Sequence, residues 1–282
     1  MLLSVIITSY NREDFIAEAI ESVLSSVYKD FELIICDDGS VDKTVEIINS
    51  YAQKDDRIKI FISEQNRGQV ANRNMAASFA KGKYIKYLDS DDIIYPYSLQ
   101  IMLDAMLLFP EAGLGFCMKY EDSAKPYPYL IQSREAYVTH YLQKELLMIG
   151  PSGLVIKKEV FDEVNGFGFF GMPSDNHLTL KIAGKYPVVA LQRDLFWWRP
   201  HPGQVFSQNK GNHQNILNNY LFNRDILLNH SPLEERENNT INWNQKKIFF
   251  LNLLKLGFKK ARPAQAINLF NQYRQLNKTR KT

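Results

Sequence analysis

The chain has 282 residues, 45% of them hydrophobic and 23% charged, which suits one large α/β domain with an appendage or two small domains. No apolar run approaches the roughly eighteen residues a membrane-spanning helix needs, so no segment is expected to cross a bilayer. The net charge of +3 is unevenly spread: residues 241–282 carry ten Lys or Arg and no Asp or Glu, whereas the first 240 hold 24 basic against 31 acidic residues, a net of −7.

Residues 2–8 form a short run rich in β-branched side chains, the signature of a strand buried on both faces. No signal peptide is expected at Met1-Leu2-Leu3-Ser4, since the apolar run there is short and reads as a strand. Phe15, Ile16, Ala19, Ile20, Val23, Leu24 and Val27 then recur at helical spacing, with Glu13 and Asp14 expected in the first turn. A second strand is expected at 31–36, a helix through Val45, Ile47, Ile48 and Tyr51, and a third strand at 58–62. A helix from Gln69 to Ala80 follows, with Gly82 as its terminator. The fourth strand, 84–88, ends at Asp89-Ser90-Asp91-Asp92. This β-α-β-α-β-α-β order predicts a mainly parallel sheet with helices on both faces.

Beyond about residue 110 the pattern loosens. Strands are expected near 113–118 and 153–156, with a Pro- and Tyr-rich loop at 125–129 between them. Ser174 and Asp175 open a helix ending near Ala183-Gly184, strands follow at 188–191 and 195–198, and the rest is Asn-rich and helical. Two cysteines, Cys36 and Cys117, sit in no metal or redox spacing and are expected as reduced core thiols, which suits the cytoplasm. The basic tail mixes lysines with bulky apolar residues from Lys246 to Lys260, as an interfacial helix would. An anionic lipid surface at the inner face of the cell membrane is one reading, and a helix packed on the body with a solvated charged face is the other. No nucleic acid is expected, since no recognition motif accompanies the charge.

Ligands of a parallel sheet lie outside the carboxyl ends of its strands. This chain places Ser9-Tyr10-Asn11, Asp37-Asp38 and Asp89–Asp92 at such ends, which predicts an active site there. Clustered carboxylates at Asp89, Asp91 and Asp92 suit a hard divalent cation bridging a nucleotide diphosphate, although the run also suits a helix N-terminus. Asp37 and Asp38 are equally readable as a turn, with Asp42 capping the next helix, or as acceptors from a pyrimidine or ribose. Gly166-Phe167-Gly168-Phe169-Phe170-Gly171 matches a dinucleotide fingerprint only by spelling, because it follows a helical segment and is filled with phenylalanines. No GxSxG elbow and no P-loop occur, and His201, in a rigid turn after a strand, is the histidine of interest.

The segments Ser4-Val5-Ile6-Ile7-Thr8-Ser9-Tyr10-Asn11, Asp37-Asp38-Gly39-Ser40-Val41-Asp42, Gln65-Asn66-Arg67-Gly68, Ala71-Asn72-Arg73-Asn74 and Leu88 to Asp92 resemble, in order and spacing, those of family 2 glycosyltransferases. The likeness is close over 1–110 and looser to about 207. It implies a GT-A fold over 1–207, with a nucleotide-binding half (1–110), an acceptor-binding half (111–207) and a helical, basic extension at 208–282. It also implies inverting transfer from a nucleoside diphosphate sugar such as a UDP-sugar, with Mn2+ or Mg2+. Nucleotide contacts would come from Thr8, Tyr10 and Asp38, with Ser9, Asn11, Asp37 and Ser90 around them, and Arg73 and Arg67 near the phosphates. Asp91 would be the principal metal ligand and Asp89 would meet the ribose or the metal.

The family's base is the Asp of a Glu-Asp pair opening a late helix; Asp175 matches it, and Ser174 replaces the glutamate. Trp198-Arg199-Pro200-His201-Pro202-Gly203 resembles the stretch that closes over the donor, which places Arg199 and His201 there. The Gln-x-x-Arg-Trp motif of processive synthases is absent, so transfer of one sugar is expected, to a glycan or lipid-linked acceptor in surface polysaccharide synthesis. The alternative is a non-catalytic sugar-nucleotide-binding protein on the same fold, against which the presence of Asp175 speaks.

Overall fold

The structure, a computed structural model, describes residues 1–119, 125–170, 174–201, 204 and 212–278. Its first half reads β1 (Leu3–Ser9), α1 (Ile16–Leu24), β2 (Phe31–Asp37), α2 (Thr44–Ala52), β3 (Ile58–Ile62), α3 (Gln69–Phe79) and β4 (Tyr84–Asp89). These strands lie side by side in the order β3-β2-β1-β4, all parallel, as the alternation predicts. The second half is mixed. β8 (Leu154–Lys157) runs antiparallel to β4 and to β6 (Leu114–Cys117), β9 (Val188–Leu191) is parallel to β6, and β7 (Tyr129–Ile131) forms an antiparallel edge.

Alternation along the central strands divides the core into two layers. Leu3, Val5 and Ile7 of β1, with Leu33 and Ile35 of β2, face Ile16, Ile20 and Val23 of α1 and Leu99, Met102 and Met106 of α4 (Ser98–Leu108). Ile6, Ile34 and Cys36 face the other way, toward α3, α6 (Lys158–Glu163) and α7 (Ser174–Lys185). Burying each such Ile or Leu contributes about 1.5–3 kcal/mol, which is why residues 3–7 fold as a strand inside the sheet. Phe222, Ile226 and Leu227 of α8 (Gln214–Asn229) join this second layer, as does Ile241 of α9 (Glu235–Leu254). Farther out, Leu217 and Tyr220 pack with Phe249, Leu253, Leu256 and Leu269, the last from α10 (Pro263–Lys278). The expected division at 207/208 lies outside the described residues, as do Pro202, Gly203 and Gly171.

Three local expectations are corrected. The acidic run does not lead straight into a helix: a two-residue strand, β5 (Ile93–Ile94), comes first and α4 begins only at Ser98. The carboxylates of Asp89, Asp91 and Asp92 are therefore not caps of that helix. Glu13 and Asp14 precede α1 instead of occupying its first turn, where Glu18 sits, and Val27 is exposed beyond the helix end. Gly82 does not terminate α3 by a left-handed turn. It is needed because β1 comes so close that a Cβ there would lie 2.6 Å from the Ser4 nitrogen.

Candidate active site

Strand register assembles the site. Parallel pairing sets Thr8 beside Asp89 and Ser9 beside Asp37, so the polar residues expected at the strand ends meet along one edge. The backbone N–H of Asp92 turns back to the carbonyl of Asp89 at 3.0 Å, and the amide of Asp89 donates to Ser152 Oγ at 3.0 Å. Beneath them Lys86 is buried, its ammonium donating to the carbonyls of Tyr87 and Ser152 at 2.5 Å each. Burial pushes that lysine down to about 8, against the pull of Asp92 and Asp89. Burial and the nearby Asp89 push Asp92 up to about 7.

The centre of the arrangement is Arg73 on α3. Its guanidinium is 2% exposed and bridges two carboxylates, one nitrogen lying 2.6 Å from Asp89 Oδ1 and the other 2.6 Å from Asp175 Oδ1. Behind it lies the ring of Phe167, whose centroid is 5.5 Å from the guanidinium carbon. Arg73 thus lies under the site with both terminal nitrogens engaged by Asp89 and Asp175. Asp175, on the first turn of α7, is 24% exposed on its side chain. Burial raises its pKa, Arg73 opposes and Asp89 reinforces the rise, and the balance is about 6.

A second group forms around Asp91. Arg12 Nε at 3.2 Å and His201 Nε2 at 3.0 Å both reach its Oδ2. His201 arrives through a device the sequence did not reveal: β10 (Phe196–Trp197) pairs antiparallel with β5, laying residues 199–201 over the acidic turn. There Arg199 donates from its amide to Asp92 Oδ1 and from Nε to the Asp91 carbonyl, at 3.2 and 3.1 Å, and reaches Glu18 at 2.5 Å. Phe15 supports the segment, with its ring 4.5 Å from that of His201.

The loops after β1 and β2 brace each other. Asp37 is buried and accepts from Ser9 Oγ (2.8 Å), Ser40 N (2.7 Å) and Ser40 Oγ (2.6 Å). Asp38 accepts from the amides of Arg67 and Gly68, both at 2.9 Å, which leaves the Arg67 side chain exposed. Asn11, with φ at +50°, receives Val41 N on its Oδ1 and donates its own amide to Ser40 Oγ. Asp42 accepts from Thr44 N, the first residue of α2, at 3.0 Å, but Lys43 holds the N-cap position, so the expected cap is not formed by Asp42. Tyr10 is exposed beside this loop pair, and Ser90 is buried in the acidic turn. Thr8, Ser9, Tyr10, Asn11, Asp37, Asp38, Asp89, Ser90 and Asp91 thus share one strand-end surface, joined by Asp175 from α7 and by Arg199 and His201 from the late segment. Arg12, Glu18, Lys86 and Ser152 were not singled out by the sequence.

A divalent cation is compatible with the donor set. Asp89 and Asp91 are hard oxygen ligands, and the second oxygen of each carries no hydrogen bond among the described residues.

The model for "Glycosyl transferase family 2" matches residues 4–164 of this chain. An uncharacterized glycosyltransferase of Haemophilus influenzae is 44% identical over 120 residues, 41% of this chain and 48% of that protein, so the alignment spans about half of its length. Among solved structures, S. aureus TarS in complex with UDP-GlcNAc superposes with a TM-score of 0.74 at 20% identity, over 95% of this chain and 79% of that one. A mannosyltransferase from Pyrobaculum calidifontis in complex with GDP-Man and Mn2+ gives a TM-score of 0.59 at 16% identity, over 97% and 79% of the two chains. At these identities the structural likeness establishes the fold, a GT-A type α/β sheet with helices on both faces.

Proposed function

Because the chain belongs to glycosyl transferase family 2, we propose that it transfers a single sugar from a nucleoside diphosphate sugar to a glycan or lipid-linked acceptor, with inversion at the anomeric carbon. The observation that carries this reading is the Asp89–Arg73–Asp175 bridge, which fixes a carboxylate of raised pKa opposite the acidic strand end. The donor's base and ribose fit beside Thr8, Tyr10 and Asp38, with the exposed Arg67 available to the diphosphate. Asp175 takes the proton of the acceptor hydroxyl as it attacks from the face opposite the leaving group. A UDP-sugar is the first donor to test, since TarS was solved with UDP-GlcNAc.

Asp91 would hold the divalent cation together with Asp89, and His201 Nε2, 3.0 Å from Asp91, stands ready as a further ligand. A bound Mn2+ or Mg2+ supplies positive charge to the departing diphosphate. The test is nucleoside diphosphate release across a panel of nucleotide sugars, with and without chelator. Release is expected with one donor and only with the cation. Asp91→Asn should weaken donor binding by about tenfold or more in Mn2+, on the order of 1.4 kcal/mol. Equal donor affinity of variant and wild type at saturating Mn2+ would remove Asp91 from the metal site.

The tail supports a peripheral position on an anionic membrane. Among the described residues no helix is long and apolar enough to cross one. On α9 and the π-helical turn after it, Ile241 is buried in the second core layer, and Phe249, Leu253 and Leu256 are buried among the C-terminal helices. Trp243, Leu251, Leu254 and Phe258 stay exposed, Trp243 by 62% and Phe258 by 83%. Lysines 246, 247, 255, 259 and 260 lie among them. The outer face is therefore apolar and basic together, as an interfacial helix requires, with each lysine near an anionic leaflet adding about 1 kcal/mol. Co-sedimentation with phosphatidylglycerol vesicles should exceed that with phosphatidylcholine and fall when Trp243, Leu254 and Phe258 are changed to serine. Equal sedimentation with both lipids would overturn this placement.

A further inference from the structure

Outside the cleft, α7 and α8 bring together three groups that the transfer reaction does not use. His177 lies two residues after Asp175 on α7, Asp225 on α8, and His230 just beyond the end of α8. His177 Nε2 is 2.8 Å from Asp225 Oδ2, and His230 Nε2 is 3.7 Å from the same oxygen. One ligand atom from each residue lies within 4.8 Å of the other two. Four ligands about 2.0–2.1 Å from a tetrahedral zinc are roughly 3.3–3.4 Å apart, so the two pairs bracket that spacing. The two imidazole rings face the shared carboxylate at 88° to one another, with centroids 6.2 Å apart.

The surroundings look built for these groups. Gly184 lies against the His230 backbone so closely that a Cβ would sit 2.0 Å from its carbonyl oxygen, which fixes where His230 can be. Phe170 packs on the His177 ring at 4.4 Å, and Asn229 Nδ2 donates to Asp225 Oδ1 at 2.8 Å, orienting the carboxylate. The nearest cation, Lys181, is directed elsewhere, to the carbonyls of Val164 and Gly166 at 2.6 and 2.7 Å. Burial holds both histidines below their usual range. For Asp225 burial pulls upward, but the hydrogen bonds from His177 and Asn229 prevail and keep it low. Two imidazoles and one carboxylate are side chains of the types that ligate a divalent metal.

The geometry points to a second cation site, distinct from the donor cleft, in which His177, Asp225 and His230 hold a borderline-soft divalent ion of the zinc type and fasten α8 to the helix that opens with Asp175. Two imidazoles and a carboxylate favour Zn2+ over Mg2+, whose preferred ligands are all oxygen. Three protein ligands leave a fourth position for solvent.

The full-length chain, stripped of metal, is titrated with Zn2+ in four forms: wild type, Asp91→Asn, His230→Ala and Asp225→Asn. Asp91→Asn removes the cleft's principal oxygen ligand and so separates the two sites. Wild type and Asp91→Asn are expected to bind one equivalent at this cluster and to gain in melting temperature with Zn2+. His230→Ala and Asp225→Asn should bind at least about tenfold more weakly, with little thermal gain. His230 is half-buried and its backbone, not its ring, meets Gly184, so His230→Ala is expected to fold even if Asp225→Asn does not. Substituted Co2+ should give the visible bands of four-coordinate geometry in wild type and not in His230→Ala. The proposal is overturned if wild type shows no saturable Zn2+ binding below about 1 mM. It is equally overturned if His230→Ala binds as tightly as wild type while Asp91→Asn does not bind.

Discussion

Asp175→Asn is expected to lower sugar transfer by about 10²–10⁴-fold while leaving donor affinity nearly unchanged. Asparagine keeps the shape and can still accept from Arg73 through its amide oxygen, but it cannot take a proton. The melting temperature at pH 7.5 should be unchanged or slightly higher. In the folded chain the pKa of Asp175 is about 6, above its ordinary 3.8, so the ionised carboxylate destabilises the fold at pH values above 6. A neutral amide removes that cost. The same shift sets the wild-type pH profile. The base is deprotonated above about 6, so kcat/KM, which reports the free enzyme, should fall with unit slope as pH drops through 6. Near-normal transfer by Asp175→Asn with a true acceptor would show that the proton leaves by another route. It would also revive the reading of a carboxylate that merely begins a helix.

Arg73→Met should be the most damaging single change to the scaffold of the site. It keeps volume and apolar stem but leaves Asp89 and Asp175 facing each other without their shared cation. Breaking a buried pair from one side costs about 3–5 kcal/mol. The two carboxylates are 30% and 24% exposed, so water screens part of the loss and the lower end, near 3 kcal/mol, is expected. For a chain of this size that corresponds to a fall of about 6 °C or more in Tm. Arg73 opposes the rise in the pKa of Asp175, so without it that carboxyl is raised further above its unfolded value and the native state binds the extra proton. The deficit should therefore be largest at pH 8 and shrink toward pH 5, read by thermal melts across that range. A deficit independent of pH would mean that Arg73 acts through packing on Phe167 and not through charge.

The parallel half of the fold is legible because its strands are buried on both faces, so residues 3–7 and 31–36 read as apolar runs, each interrupted by one polar residue (Ser4, Glu32), that end in polar turns. The position of the site follows from the same feature, since the register that buries Ile6 beside Ile34 also sets Ser9 beside Asp37. What escapes is carried by short or polar elements. β5 and β10 are two residues each, too brief to show any period, yet their pairing delivers Arg199 and His201 to Asp91. The two ion pairs of Arg73 escape for a different reason. Arg73 lies on a helix with little apolar character, beside the equally buried Asn72, so the residue pattern does not mark which polar side chains face inward. Arg12 and Lys86 carry no local pattern at all, because their partners are supplied by the strand edge. The clustering of His177 with Asp225 depends on how α7 packs against α8, across 48 residues of sequence.

The sharing of one apolar layer by Ile6, Ile34, Phe222, Ile226 and Leu227 has a bearing on how relatives of this chain can be recombined. A hybrid that keeps the strands and borrows α8 from a relative acquires new side chains beneath the catalytic sheet, in the layer that supports Tyr87 and Phe167 behind Arg73. Altered activity in such a chimera would confound a changed surface with a shifted floor under Asp89 and Asp175. Any exchange of specificity between relatives therefore has to carry the matching inner face of α8 together with the sheet residues it touches.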